Sequence, residues 1–217
     1  MRYGMVIDLK RCSGCKTCSV VCKVANNIPN DIIWNRVLTE GGNAPDTAGG
    51  TWDNPEMQHW PVACQHCENP ACTKVCPVGA TWKDEQTGIV RQDYDKCIGC
   101  RMCLAACPYT GVRSFNWEEP AYYADFALGD ADAAKHEKHT VEKCIFCTQR
   151  VARGEQPACV AACPMRALEF GPIDELRAAH PDAVDAVAIL PEPKTEPSIA
   201  IVAKPAALEP DPVSALM

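Results

Sequence analysis

Apolar residues in this chain come in short runs divided by turn signals and cysteine-rich loops. Tyr3 to Leu9 reads as a strand that leads into the first of those loops. Ala167 to Phe170 is a second strand candidate, and the two ends of the chain are expected to pair through these runs. Trp82 to Arg91 reads as a hairpin, with its turn at Asp84 to Gly88. Met102 to Ala106 and Ile173 to His180 are expected as short helices, and Ser198 to Ala203 as a further strand. Pro191 to Pro197 is Pro-rich and extended, and Lys204 to Met217 reads as a loose tail. No run approaches ~18 consecutive apolar residues, so no membrane span is expected. The start, Met1 to Asp8, has no signal-peptide core, because Asp8, Lys10 and Arg11 interrupt it at once.

Composition sharpens this picture in one direction. An aromatic content of 6% leaves little material for a large aromatic core. The net charge of −7 and pI near 5.2 exclude a basic nucleic-acid footprint. Sixteen cysteines dominate everything else. They form four groups of four with none left over: Cys12, Cys15, Cys18, Cys22; Cys64, Cys67, Cys72, Cys76; Cys97, Cys100, Cys103, Cys107; and Cys144, Cys147, Cys159, Cys163. Pro77, Pro108 and Pro164 follow the last Cys of three groups, and Lys23 takes that place in the first.

Disulfides would need an oxidising compartment, which the missing signal segment argues against. A zinc-stabilised scaffold would use paired Cys-x2-Cys, and nothing in zinc chemistry calls for Cys-x2-Cys-x2-Cys-x3-Cys-Pro. Iron–sulfur cubes explain spacing, count and prolines together. Three thiolates of such a run take three corners of one cube, and the fourth ligates the cube of a facing run. Crossing groups two and three gives one set of Cys64, Cys67, Cys72 and Cys107, and another of Cys76, Cys97, Cys100 and Cys103. Crossing groups one and four gives Cys12, Cys15, Cys18 and Cys163, and Cys22, Cys144, Cys147 and Cys159. Cys103 and Cys107 lie four apart, so one helix is expected to carry both on one face and touch two cubes. Gly14 and Gly99 inside the loops permit positive φ and close approach of backbone N–H groups to sulfur.

The residues around the clusters carry weaker signals. Arg11, Lys96 and Lys143 each precede the first Cys of a group, and a cation beside a cube favours its reduced state. His66, between Cys64 and Cys67, is not needed as a ligand where each cube has four thiolates. His136 and His139 are expected to be solvated or partner-facing. Lys23 to Ala63 and Pro108 to Lys143 are too long for plain connectors, and either pack over the cubes or dock a partner. There is no dinucleotide fingerprint, phosphate loop or nucleophile elbow, so electron transfer is expected rather than catalysis.

The chain resembles the four-cluster iron–sulfur subunits of dimethyl sulfoxide reductase-type molybdopterin oxidoreductases. The resemblance runs from Met5 to about Lys204. It rests on Asn69-Pro70-Ala71-Cys72-Thr73-Lys74-Val75-Cys76-Pro77, on Cys97-Ile98-Gly99-Cys100-Arg101 with Ala106-Cys107-Pro108-Tyr109, and on Gln156-Pro157-Ala158-Cys159. The stretch Arg166 to Ile173 looks like the dimethyl sulfoxide reductase subunit. The insertion Phe115 to Pro120 is more like subunits of arsenate, tetrathionate or polysulfide systems. Cys100 stands where related nitrate reductase subunits carry Trp, so the resemblance implies four [4Fe-4S] clusters.

It also implies an α+β fold of two pseudo-symmetric bacterial ferredoxin-like units, each with two cubes, plus loop insertions and an extended C-terminal tail. The expected organisation is residues 1–60 with 140–180 as the first unit, 61–112 as the second, 113–139 as an insertion and 181–217 as a C-terminal extension. The implied partners are a molybdopterin catalytic subunit and a quinone-binding membrane subunit. The chain itself is then a non-catalytic relay, made in the cytoplasm and brought to the membrane by its partners. The equivalent subunit of a formate dehydrogenase or hydrogenase is the neighbouring reading.

Overall fold

A computed structural model describes residues 1–44, 46–109, 111–186 and 194–202. The first half of the chain gives β1 (Tyr3–Asp8), α1 (Thr17–Ala25), β2 (Asn35–Glu40), β3 (Gly49–Thr51), β4 (Asn54–Glu56), β5 (Gln58–Ala63), α2 (Ala71–Lys74), β6 (Thr81–Lys83) and β7 (Val90–Gln92). The second half gives α3 (Met102–Ala105), β8 (Arg113–Phe115), β9 (Val141–Lys143), α4 (Thr148–Ala152), α5 (Ala158–Ala161), β10 (Leu168–Pro172), α6 (Ile173–Ala179), β11 (Val184–Asp185) and β12 (Ile199–Val202).

The two ends of the chain meet in a four-stranded sheet of order β10-β1-β12-β11. β1 pairs antiparallel with β10, Ile7 facing Leu168, and parallel with β12, Met5 facing Ile199. Both faces of β1 are covered, which is why Met5, Val6 and Ile7 are all buried and the strand reads as a continuous apolar run. The expected hairpin is β6–β7, with Trp82 opposite Arg91. Other pairings had no sequence counterpart, among them β3–β4 and β11–β12. In the first cysteine-free stretch β2 pairs with β5 from Asn35–Ala63 to Glu40–Gln58. In the second, β8 pairs with β9, Arg113 facing Lys143.

The helices are short for a readable reason. α2, α3 and α5 each end a few residues before Pro77, Pro108 or Pro164, since the residue before a proline is pushed out of helical geometry. Lys23 imposes no such stop, so α1 runs on to Ala25. Cys18 and Cys22 therefore share a helix face. Cys103 and Cys107 do not, contrary to expectation: α3 ends at Ala105 and Cys107 lies beyond it.

The main core gathers Met5, Ile7, Leu9, Ile28, Ile32, Trp34, Phe146, Leu168, Ile199 and Ile201 around buried cysteines. The aromatics of the cysteine-free stretches differ in exposure. Trp34 is buried, whereas Trp52 is fully exposed and Trp117 and Tyr123 lie open to solvent. The chain leading into β12 doubles back over the group-two loop. The Ser198 N–H donates to Gln65 O at 2.9 Å, the Asn69 N–H to Thr195 O at 3.0 Å, and the Tyr109 and Thr195 hydroxyls meet at 2.9 Å. The expected tail, 204–217, and residues 191–193 of the Pro-rich stretch lie outside the described residues.

Candidate metal centres

The cysteine loops repeat one backbone design. In group one Gly14 has φ 68° and Lys16 φ 60°, after which α1 begins. In group three Gly99 has φ 68° and Arg101 φ 59°, after which α3 begins. Glycine is required at both. A Cβ at Gly14 would lie 2.5 Å from the His59 ring, and one at Gly99 2.4 Å from His139 O. Groups two and four have their own shared turn, with His66 at φ 43° and Phe146 at φ 52° just before the second Cys.

These loops gather the sixteen thiols into four sets. Cys12, Cys15, Cys18 and Cys163 line one cavity. Cys22, Cys144, Cys147 and Cys159 line a second, with Met5, Trp34 and Ile199 as its apolar wall. Cys76, Cys97, Cys100 and Cys103 line a third. Cys64, Cys67, Cys72 and Cys107 are neighbours: Cys64 and Cys72 are close enough to Cys67 and Cys107 to help raise the pKa of both. Each set draws three thiols from one group and the fourth from another.

The donor set fits an iron–sulfur cube better than a lone ion. Among the described residues, no three His, Cys, Asp or Glu side chains are arranged to hold a single metal ion. N–H groups point at sulfur, as thiolate ligands require. The Phe146 N–H lies 3.4 Å from Cys144 Sγ and the Ala167 N–H 3.3 Å from Cys163 Sγ. The Asn26 side-chain amide lies 3.7 Å from Cys147 Sγ and 3.9 Å from Cys22 Sγ.

Comparison with known proteins agrees with this chemistry. Residues 55–123 and 130–173 match a family described as a 4Fe-4S dicluster domain. A component of the anaerobic dimethyl sulfoxide reductase of Escherichia coli K12 is 42% identical over 202 residues, covering 92% of this chain and 88% of the relative. A Halobacterium salinarum protein named for the iron-sulfur subunit of a dimethyl sulfoxide reductase is 51% identical over 80% of this chain and 67% of its own length. The iron-sulfur subunit of an arsenate respiratory reductase from a Shewanella strain is 36% identical over 81% of this chain and 83% of its own length.

The chain belongs to the iron–sulfur subunits of the dimethyl sulfoxide reductase family.

As a member of that family it is an electron-transfer subunit carrying four [4Fe-4S] clusters in ferredoxin-like units of mixed α/β structure. No helix among the described residues is long and apolar enough to cross a membrane. Burial and hydrogen bonding act in opposite directions on its thiols. Burial pushes Cys18 and Cys107 up to about 11 and Cys67 and Cys144 up to about 12, and holds Cys22 and Cys159 well above the ordinary thiol value. Cys15 is pulled down by the Thr17 hydroxyl, 3.3 Å away. At Cys76 burial raises the value, and the N–H groups of Thr81, Val78, Ala80 and Gly79 more than reverse it. Iron must therefore displace protons from the inner thiols, and the N–H groups help it do so.

The histidines have other roles. His66 is fully buried, and its Nδ1 accepts the Val90 N–H at 3.1 Å. His139 is exposed, as expected. His136 corrects the expectation of a solvated or partner-facing ring. Its side chain is buried, with Nδ1 2.8 Å from Glu142 Oε1 and Nε2 donating to Asn26 O at 2.9 Å. The other Glu142 oxygen accepts the Trp34 indole N–H at 3.0 Å, and Asn116 donates to the first. This buried polar network and the Asn26 amide had no sequence signal. No motif spacing marks a residue that reaches sulfur from a helix end.

Proposed function

We propose that this subunit relays single electrons through four [4Fe-4S] cubes, between a molybdopterin catalytic subunit and a quinone-binding membrane subunit or other redox partner. Cube 1 is assigned to Cys12, Cys15, Cys18 and Cys163, and cube 2 to Cys22, Cys144, Cys147 and Cys159. Cube 3 is assigned to Cys64, Cys67, Cys72 and Cys107, and cube 4 to Cys76, Cys97, Cys100 and Cys103. One observation carries the relay reading: Cys15 and Cys100, from the two outer sets, are exposed, while all four thiols of cube 2 and Cys64 and Cys72 of cube 3 are buried. A wire has accessible ends and an insulated middle. α1 links cubes 1 and 2 through Cys18 and Cys22, and Cys144 lies beside Cys64 between cubes 2 and 3.

On this reading cubes 1 and 2 define one ferredoxin-like unit, residues 1–60 with 140–180, and cubes 3 and 4 define the other, residues 61–112. Residues 113–139 are an insertion and 181–217 an extension. The shared Gly14/Lys16 and Gly99/Arg101 geometry supports pseudo-symmetry between the units. By family resemblance cube 1 faces the catalytic subunit and cube 4 the membrane side, and the chain reaches either face of the membrane through its partners.

The test is anaerobic purification of the native complex, identification of its large subunit, and assay against sulfoxides, arsenate, sulfur oxyanions and catechols. The cubes should be reduced and reoxidised at the rate of turnover. Substrate turnover by the isolated iron–sulfur chain would overturn the proposal.

A further inference from the structure

Arg113 and Lys143 are buried, with 6% and 0% of their surface exposed, and they face each other across the β8–β9 ladder. Like charges in directly opposed cross-strand positions are destabilising, and burial makes the pairing worse. No carboxylate relieves it among the described residues. The Lys143 ammonium donates to two neutral carbonyls, Val90 O and Cys144 O, the latter at 2.9 Å. Arg113 Nη2 donates to Thr81 Oγ1 at 3.3 Å, and its Nη1 is buried with no partner among the described residues. The anions nearby are the thiols. Burial works against the Arg113 charge, but Cys72, Cys64, Cys103 and Cys107 more than reverse that and hold its pKa above the ordinary value. Burial and the Arg113 charge lower Lys143, and Cys64, Cys144 and Cys72 oppose that without reversing it. Packing agrees: Val141 and Phe115 of the β8–β9 ladder and Val90 cluster with Cys72 of cube 3 and Cys103 of cube 4, and the Lys143 ammonium, held by Val90 O and Cys144 O, sits between that cluster and cube 2. Cys64 and Cys72 of cube 3 act on both cations.

We propose that Arg113 and Lys143 are a fixed cationic pair that raises the reduction potential of cube 3, making it the electron's resting point on the relay. Each reduction adds one negative charge to the cube, and a cation fixed beside it in a low-dielectric interior stabilises the reduced form. The cube in turn neutralises a pair of charges that the fold could not otherwise bury. The cations at the other two group-leading positions differ, because Arg11 and Lys96 are exposed and Lys96 is paired with Asp93 at 3.2 Å.

The inference rests on the ligand sets proposed above, and two measurements separate the two claims. In the purified complex, Cys67→Ser with spectroscopy of the remaining clusters shows whether cube 3 is assigned correctly. Potentiometric titration of Arg113→Gln and Lys143→Gln then tests the cations. Arg113→Gln should shift the reduction equilibrium of cube 3 against the electron by tenfold or more, about 59 mV for a one-electron step. It should move cube 4 less and leave cube 1 fixed as an internal reference. Lys143→Gln should lower cubes 2 and 3 and spare cube 4, so either variant decides the matter if the other fails to assemble. Arg113→Lys should restore most of the lost potential, which a merely structural role would not do. Unmoved potentials in variants with full iron content would overturn the proposal, as would a uniform shift of all four cubes.

Discussion

The imidazole of His66 lies flat on the ring of Phe146, with centroids 3.8 Å apart and planes inclined by 19°. The two residues occupy the same place in their loops, one before the second Cys of groups two and four, and both have positive φ. The stack thus joins the two cysteine loops in the buried interior. His66 is neutral there: burial drives its pKa well down, and the Lys143 and Arg113 charges add to that. A neutral ring can stack and accept the Val90 N–H without importing a third buried cation.

Phe146 is 1% exposed and also packs edge-on against Phe170 at 5.2 Å. Phe146→Ala should cost about 3–5 kcal/mol, the usual range for emptying a buried aromatic site. It should be seen as a lower temperature for bleaching of the cluster absorbance. A change within the error of the wild-type curve would show that the stack does not hold the loops together.

Cys22 sits on α1 but lines the cavity of Cys144, Cys147 and Cys159. Cys22→Ser should damage cube 2 and leave the ligands of cube 1 complete. Electron paramagnetic resonance of the reduced variant checks this. Loss of the cube 1 signal with cube 2 intact would mean that the crossed assignment is wrong.

Trp34→Phe keeps the packing and removes the indole donor to Glu142 Oε2. The carboxylate is fully buried, so the loss should cost about 1–3 kcal/mol. Trp34→Phe combined with Glu142→Gln should cost less than the sum of the two single changes, because the network acts as a unit. Thermal stability of the three variants decides this, and strict additivity would refute coupling.

Iron removal should unfold more than the loops. Without cubes, Arg113 and Lys143 face each other as uncompensated buried charges, a situation worth about 3–5 kcal/mol when one partner of a buried pair is lost. The iron-free chain should lose its near-ultraviolet circular dichroism. Arg113→Met should make the iron-free chain more resistant to protease than iron-free wild type. Equal resistance would show that the buried charges are not what unfolds it.

The sequence by itself determined the chemistry. Sixteen cysteines in fixed spacings leave few alternatives to iron–sulfur cubes, because ligand spacing in a short loop is a local geometric property. It also determined β1, β6–β7, α6 and the pairing of the chain ends, where short apolar runs and turn residues act locally. It did not determine where the helices end: the prolines after Cys76, Cys107 and Cys163 follow closely on the ends of α2, α3 and α5, and the helix expected to carry both Cys103 and Cys107 ends at Ala105.

Only the tertiary structure decided the rest. The β2–β5 and β8–β9 pairings join residues far apart along the chain, Asn35 with Ala63 and Arg113 with Lys143, and no local pattern marks them. The cysteine-free stretches proved to contribute Trp34, Arg113 and Glu142 to the interior as well as Trp52 and Trp117 to the surface. Lys143 precedes its cysteine just as Arg11 and Lys96 do, yet it alone of the three is buried. Spacing fixes which atoms can hold iron, while burial and the placing of charge around them, which set the potential, exist only once the chain has closed on itself.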